Sequence, residues 1–406
     1  MQTPREVFRK LMNYQPGGEL PARIFNWHWT FGMYGSTDTT WPGPGTQFWH
    51  ETIERWHREG LSAEVNTPAA VNDYFSVDRR LHLRIKVEIW PPHEPSIIEE
   101  SGEFQVRVDG SGRVTRQYAG PRAELSMPEY LSYPIMSRQT WERFAREHLD
   151  AGAAGRSVFQ VVKDGQILIE SAPDWPNFAE ARRLLLESPL PVEVFAGSLF
   201  GFLREWMGLV NLCYALHDDE SWVQAMMDHL SSLSLAALQQ VLGPLAVPVD
   251  HVTWWEDMAY KAGPLISPRH ARRLMLPAYR RVNEYLRSLG IDLIGVDSDG
   301  DISSLIPVWL DAGLNAVYPL EVAAGMDVAA LRACYGRELR MIGGIDKQAL
   351  ARGPKAIHAE LARRLPLVAS GGYIPAVDHS VPHDIAFDDY LYYQQLLREE
   401  CQRYLP

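Results

Sequence analysis

Residues 291–301 read IDLIGVDSDGD, an apolar run that stops at three carboxylates, Asp297, Asp299 and Asp301, around Gly300. Acids gathered where a strand ends suit two kinds of chemistry. One is general acid–base catalysis, because crowded carboxyls raise one another's pKa. The other is ligation of an oxygen-preferring cation. Comparable breaks carry further acids: Glu256 and Asp257 after VDHVTWW, Glu321 after NAVYPL, Asp346 beside Lys347, and Asp378 beside His379. Carboxylates with a histidine and no thiolate fit a hard divalent metal, or zinc with mixed ligands, and Asp297, Asp299, Glu321 and His379 are the candidate ligands. The same residues serve acid–base work without metal. Spacing does not choose, since they come from different strands. Asp301 has the simplest task, capping the helix that follows. Asp346 can cap a helix or act at the site, and Lys347 can pair with a neighbouring acid. The aromatics Trp27, Trp29, Trp254, Trp255 and Tyr373 are candidates for a substrate-holding wall or for core. Trp254 and Trp255 are adjacent in a strand, so they face opposite sides.

The elements that position these residues follow from hydrophobic period. Apolar stretches near residues 23, 62, 192, 250, 292, 315, 340 and 372 read as strands, and from the third onward each is followed by a helical pattern. Eight strands with helical crossovers predict a (β/α)8 TIM barrel, whose active site lies at the C-terminal strand ends. A doubly wound sheet would want a glycine-rich phosphate turn, and neither GxGxxG nor GxxxxGK[ST] follows an early strand. A short helix at Pro4 to Asn13 and the aromatic, Gly- and Pro-broken stretch beyond the first strand read as an N-terminal helical and aromatic extension. Residues 79–119 alternate and contain the turn DGSGR, which predicts an antiparallel β-hairpin insertion with a solvated charged face. The whole chain, 1–406, reads as one domain.

Composition bounds the partners. A net charge of −12 without a basic run argues against nucleic acid. No apolar run reaches membrane-spanning length, and the N-terminus lacks a signal-peptide pattern, so a cytoplasmic protein is expected. Cys213, Cys334 and Cys401 form no CxxC and fall in helical segments, so buried thiols are expected. The 13 tryptophans suit a large core or a pocket for an apolar ligand.

The runs WWEDMAYKAGPLISP, VDSDGDISSLIPVWLDAGLNAVYPLEVAAGMDV, GGIDK and GGYIPAVDHSVPHDI together resemble the uroporphyrinogen decarboxylase superfamily. The resemblance implies a TIM barrel and two activities, tetrapyrrole decarboxylation or zinc-dependent methyl transfer involving corrinoid or thiol carriers. Two departures stand out. Where the decarboxylase carries an arginine-rich segment for its polyanionic substrate, this chain has RIFNWHWTFGMYG, with Arg23 alone. Where the methyltransferases carry His-x-Cys-Gly, it has Asp297-Ser298-Asp299-Gly300, and no cysteine stands at the last strand. The expectation is a methyltransferase moving a methyl group from a small substrate to a corrinoid held by a partner protein, since the chain lacks an Asp-x-His-x-x-Gly cobalamin motif. Asp297, Asp299, Glu321, His379, Glu256, Asp257 and Lys347 would be its catalytic set, with Trp27, Trp29, Trp255, Tyr373 and Asp346 at the substrate. A decarboxylase or lyase for a small non-porphyrin substrate, and a non-catalytic ligand-binding barrel, are the alternatives.

Overall fold

The computed structural model describes residues 2–13, 19–27, 50–119, 128–153, 155–172 and 177–406. Trp29 lies outside them. In chain order the described strands are β1 (Leu81–Ile85), β2 (Ser96–Ser101), β3 (Phe104–Val108), β4 (Val114–Tyr118), β5 (Glu129–Ser132), β6 (Phe159–Lys163) and β7 (Gln166–Glu170). They continue as β8 (Val192–Gly197), β9 (His251–Trp255), β10 (Ala259–Tyr260), β11 (Gly263–Pro264), β12 (Ile294–Asp297), β13 (Ala316–Tyr318), β14 (Arg340–Ile345) and β15 (Tyr373–Val377).

The main sheet has the order β15-β14-β13-β12-β9-β8-β1-β6-β7. From β1 to β15 every pairing is parallel, and β6 and β7 add antiparallel beyond β1. Parallel pairing requires crossovers, and helices Glu220–Leu245, Leu276–Ser288, Ile306–Asp311, Val328–Tyr335 and Pro354–Arg364 supply them. Their starts are chemically specified. Asp219 accepts from Trp222 N and Asp327 from Ala330 N, each capping its helix. Helix Glu220–Leu245 buries Trp222, Val223, Met226, Met227 and Leu230, the stripe that seats it on the sheet. No described helix is long and apolar enough to cross a membrane.

Strand alternation gives the sheet a helix side and a concave side. On β9, Trp254 is fully buried and its indole donates to Asn283 Oδ1 on helix Leu276–Ser288. His251, Thr253 and Trp255 therefore face the other way. There the Tyr318 hydroxyl reaches over β12 to Thr253 Oγ1 at 2.7 Å and His251 Nε2 at 3.1 Å. Gly295 permits that crossing, since a Cβ would lie 2.5 Å from Tyr318 Cε1.

Four expectations need correction. Residues 61–66 form no strand; the strand beside β8 is β1, in register Leu83 with Val194. Residues 81–85 thus belong to the main sheet, and the insertion is the antiparallel β2-β3-β4-β5 sheet that starts at Ser96. The alternation of LHLRI misled because its polar set faces another polar group: His82 lies 3.7 Å from half-buried Glu193. Residues 24–27 carry no ladder either, although Asp78 N donates to Asn26 O and the Asp78 carboxylate holds Arg23 at 2.5 Å. Finally, Cys213 and Cys334 are exposed, and only Cys401 is buried.

Candidate active site

The strand ends place most of the sequence-derived acids together. Asp297 closes β12, opposite Trp255 on β9 and Tyr318 on β13. Asp299 follows two residues on. Gly300 then turns at φ 82°, and a Cβ there would meet Tyr260 N at 2.6 Å, so only glycine allows this close approach of the β10 backbone. Its N–H donates to Glu321 Oε2 at 3.0 Å, which joins the β12 and β13 ends. Asp257 takes the left-handed conformation, φ 42°, a costly choice for a non-glycine residue. That turn aims its carboxylate at Arg204, 3.1 Å away on helix Phe200–Met207, with Asp299 N 3.5 Å off. Lys347 Nζ sits 3.4 Å from Glu321 Oε1. Asp378 is buried and accepts from Val322 N at 2.8 Å and Lys347 N at 3.1 Å, so it ties the ends of β13, β14 and β15 together. His379 Nε2 lies 3.6 Å from Asp299 Oδ2.

Electrostatics follow from this crowding. Burial, then the neighbouring Asp257 and Glu321, push the Asp299 carboxyl up to about 8, against the opposing pull of Lys347 and Arg204. Burial first, and then Asp299, Asp257 and Glu193, hold Asp297 well above the usual carboxylate range. Burial raises Asp378 to about 6. His379 is pushed below the ordinary imidazole value by burial and by Lys347, so near neutrality it carries no charge. The arrangement is a protonated acid beside a neutral base, and it can deliver or receive a proton.

Beneath Asp297 the concave face holds a second polar group. Glu193 accepts from Arg80 at 2.8 Å and from Thr253 Oγ1 at 2.8 Å. Glu193 is lowered to about 2: burial opposes this and is outweighed by Arg80 and the two histidines. His82 and His251, desolvated beside it, fall to about 4. Sequence reading missed this group, and it missed Arg204 and the linking role of Asp378. The signal for the first was present, since His82, Glu193, His251 and Thr253 fall on alternate strand positions.

Other candidates have structural tasks. Glu256 is fully buried and accepts from Leu199 N, Phe200 N, Gly201 N, Ser198 Oγ and Tyr279 Oη, fastening β9 to the start of helix Phe200–Met207. Its carboxylate is thus engaged in joining these elements. Asp346 caps helix Lys347–Ala351 through Gln348 N and meets Arg352. Tyr373 is core, its hydroxyl donating to Gly343 O. Trp27 is buried with the Arg80 guanidinium 3.6 Å above its ring. Trp255 remains half-buried at the mouth, with Arg204 5.5 Å over it.

The expected metal quartet does not assemble. Glu321 is committed to Lys347 and Gly300 N, and His379 lies 3.6 Å from Asp299. Among the described residues no three His, Cys, Asp or Glu side chains are grouped to hold a metal ion. The donor set does not form a preformed centre, because Glu321 is held by Lys347 and Gly300 N and is not grouped with Asp297 or with the Asp299–His379 pair.

No family model matches the chain, and no curated protein matches it in sequence. Among solved structures, a methyltransferase from Methanosarcina mazei is similar at 11% identity and TM-score 0.51, covering 98% of this chain and 99% of that one. A B12-independent methionine synthase from Shewanella sp. W3-18-1, in complex with selenomethionine, matches at 10% identity and TM-score 0.37, over 60% of this chain and 70% of that chain. The first likeness runs the length of the chain and is one of fold: a mixed α/β architecture on a large parallel sheet.

Proposed function

We propose that this protein is an acid-assisted methyltransferase acting on a small methylated substrate. The observation that carries the reading is Asp299, a carboxyl raised to about 8 at the strand ends and 3.6 Å from His379. A methyl group leaves oxygen or nitrogen more readily when that heteroatom carries a proton. Asp299 supplies the proton or keeps it in place, and His379, neutral at rest, takes a proton from solvent and passes it to the Asp299 carboxylate. As the carbon–heteroatom bond breaks, its electron pair passes to the protonated heteroatom, which departs neutral. The new bond to carbon forms from a pair on a nucleophilic carrier, a thiolate or a corrinoid on a partner protein, as the superfamily resemblance implies. Lys347 and Arg204 hold Glu321 and Asp257 in place around the acid. The fold shared with a methyltransferase agrees with this reading but does not carry it.

The test is turnover of methyl ethers, methylamines and thioethers with cob(I)alamin as acceptor, followed by methylcobalamin formation. Asp299→Asn should lower kcat by about 10²- to 10⁴-fold, the usual range for a lost general acid. Carbon dioxide release from carboxylate substrates without any acceptor would replace this reading with the lyase.

A further inference from the structure

Asp297 is 7% exposed, no hydrogen bond or ion pair from the described residues reaches its side chain, and its carboxyl oxygens are what stays open to solvent. Buried polar groups are nearly always partnered, because burial without a partner costs free energy. A carboxyl kept in that state inside a site is completed by what binds there. Its direction is fixed by the strand. A Cβ on Gly295, two residues earlier on the same face, would lie 3.0 Å from His251 Nε2, so Asp297 also points into the concave face.

The surroundings define what the occupant must bring. Asp257 and Glu193, joined by Asp299 whenever it is ionised, act on Asp297 with the same sign of charge. The nearby cations are already engaged: Arg204 with Asp257, Lys347 with Glu321, and Arg80 with Glu193. Among the described residues at the strand ends, an anionic ligand would meet only these paired cations and several carboxyls. An ether oxygen would accept one hydrogen bond from Asp297 and leave the like-charged neighbours uncompensated. A divalent metal would need several converging ligands, and they do not converge. A single, diffuse positive charge compensates the whole group at once. Beside Asp297, in direct register on β9, stands the half-buried ring of Trp255, a surface that methylated ammonium groups favour.

We infer that the mouth binds a methylated ammonium, its nitrogen facing Asp297 and its methyl groups lying against Trp255. This rests on the methyl-transfer reading and specifies its heteroatom as a nitrogen that carries the proton Asp299 keeps in place, as in a protonated methylamine, with a quaternary ammonium serving as a probe of the charge alone. The leaving group is then an amine, and the carboxyls keep its positive charge in place until the methyl group departs.

Binding, measured without turnover, tests the inference. Isothermal titration of the full chain would compare choline chloride, its uncharged isostere 3,3-dimethylbutan-1-ol and the anion 3,3-dimethylbutanoate. Choline should bind about tenfold or more tightly than the alcohol, and the anion should not bind. Asp297→Asn should lower choline affinity about tenfold and leave that of the alcohol unchanged. Trp255→Leu is the second variant and should also weaken choline selectively. Equal affinities for choline and the alcohol, or preference for the anion, would overturn the inference. So would zinc chloride binding at one per chain, displacing choline and itself lost in Asp297→Asn. If choline fails to bind while methyl ethers are still demethylated, the inference falls and methyl transfer stands. If choline binds and no methyl donor is turned over, the charge assignment stands and the methyl-transfer reading falls.

Discussion

Replacing Glu256 by Gln isolates the balance of forces on one buried carboxyl. Five donors converge on it, and that alone would favour the ionised form. Complete burial acts the other way and is the larger effect, raising the group from 4.5 to about 7. An acid raised on folding holds its proton more tightly in the native state. Its stabilising contribution is therefore complete below pH 4.5, declines as pH rises through the folded value near 7, and is absent above it. The full swing is about 3 kcal/mol, at about 1.4 kcal/mol for each tenfold in proton affinity, and most of it falls between pH 5 and pH 8. Gln keeps the shape and does not titrate, but it turns an N–H₂ toward the donors, at a cost of about 1–3 kcal/mol at every pH. At pH 5 the variant should thus be less stable by that amount, and by pH 8 it should match or exceed the parent. Urea unfolding followed by tryptophan fluorescence at the two pH values gives both differences. A deficit that stays constant or grows toward pH 8 would refute the argument, because it would mean that the helix N–H groups and Tyr279 keep Glu256 ionised throughout.

Two further outcomes follow from the same geometry. Gly295→Ala forces a Cβ to within 2.5 Å of the Tyr318 ring and 3.0 Å of His251, so Tyr318 must give up its bonds across the sheet. Destabilisation of about 1–3 kcal/mol, read as a lowered thermal midpoint, is expected from such overpacking. Arg204→Met removes a charge that holds the Asp299 value down, so that value should rise further. Because the acid works while protonated, the alkaline fall in the methyl-transfer pH profile should move to higher pH; a move to lower pH would contradict the assignment.

Much of this was legible in the sequence from residue 137 onward. There β-branched runs and amphipathic repeats alternate at the lengths that parallel strands and crossovers require, and the acids fall where strands end. Helix 178–187 and the strands at 192, 292 and 340 lie where period alone placed them. The first strands were not legible, because a strand whose polar residues face a polar interior alternates just like one facing water. Residues 81–85 do this, since His82 meets Glu193 rather than solvent. At the mouth, position along a strand identified Asp297, Asp299, Glu321, Lys347 and His379 as neighbours. It could not separate Glu256, which follows the same strand as Asp257 but turns outward to a helix start. Arg204 gave no signal of its own, as a lone arginine on an apolar helix becomes meaningful only once Asp257 is placed against it. The four metal-ligand candidates are not grouped among the described residues for a related reason: ligand types can be read from sequence, but convergence cannot.

The central claim is a mouth carboxyl that stays protonated at neutral pH. The most direct measurement is ¹³C NMR titration of carboxyl-labelled aspartate, with the Asp299 resonance assigned by its loss in Asp299→Asn. A resonance that titrates near 8 is the expected result. One that titrates near 4, the ordinary carboxylate value, would contradict the account, since no proton would then remain for the leaving heteroatom.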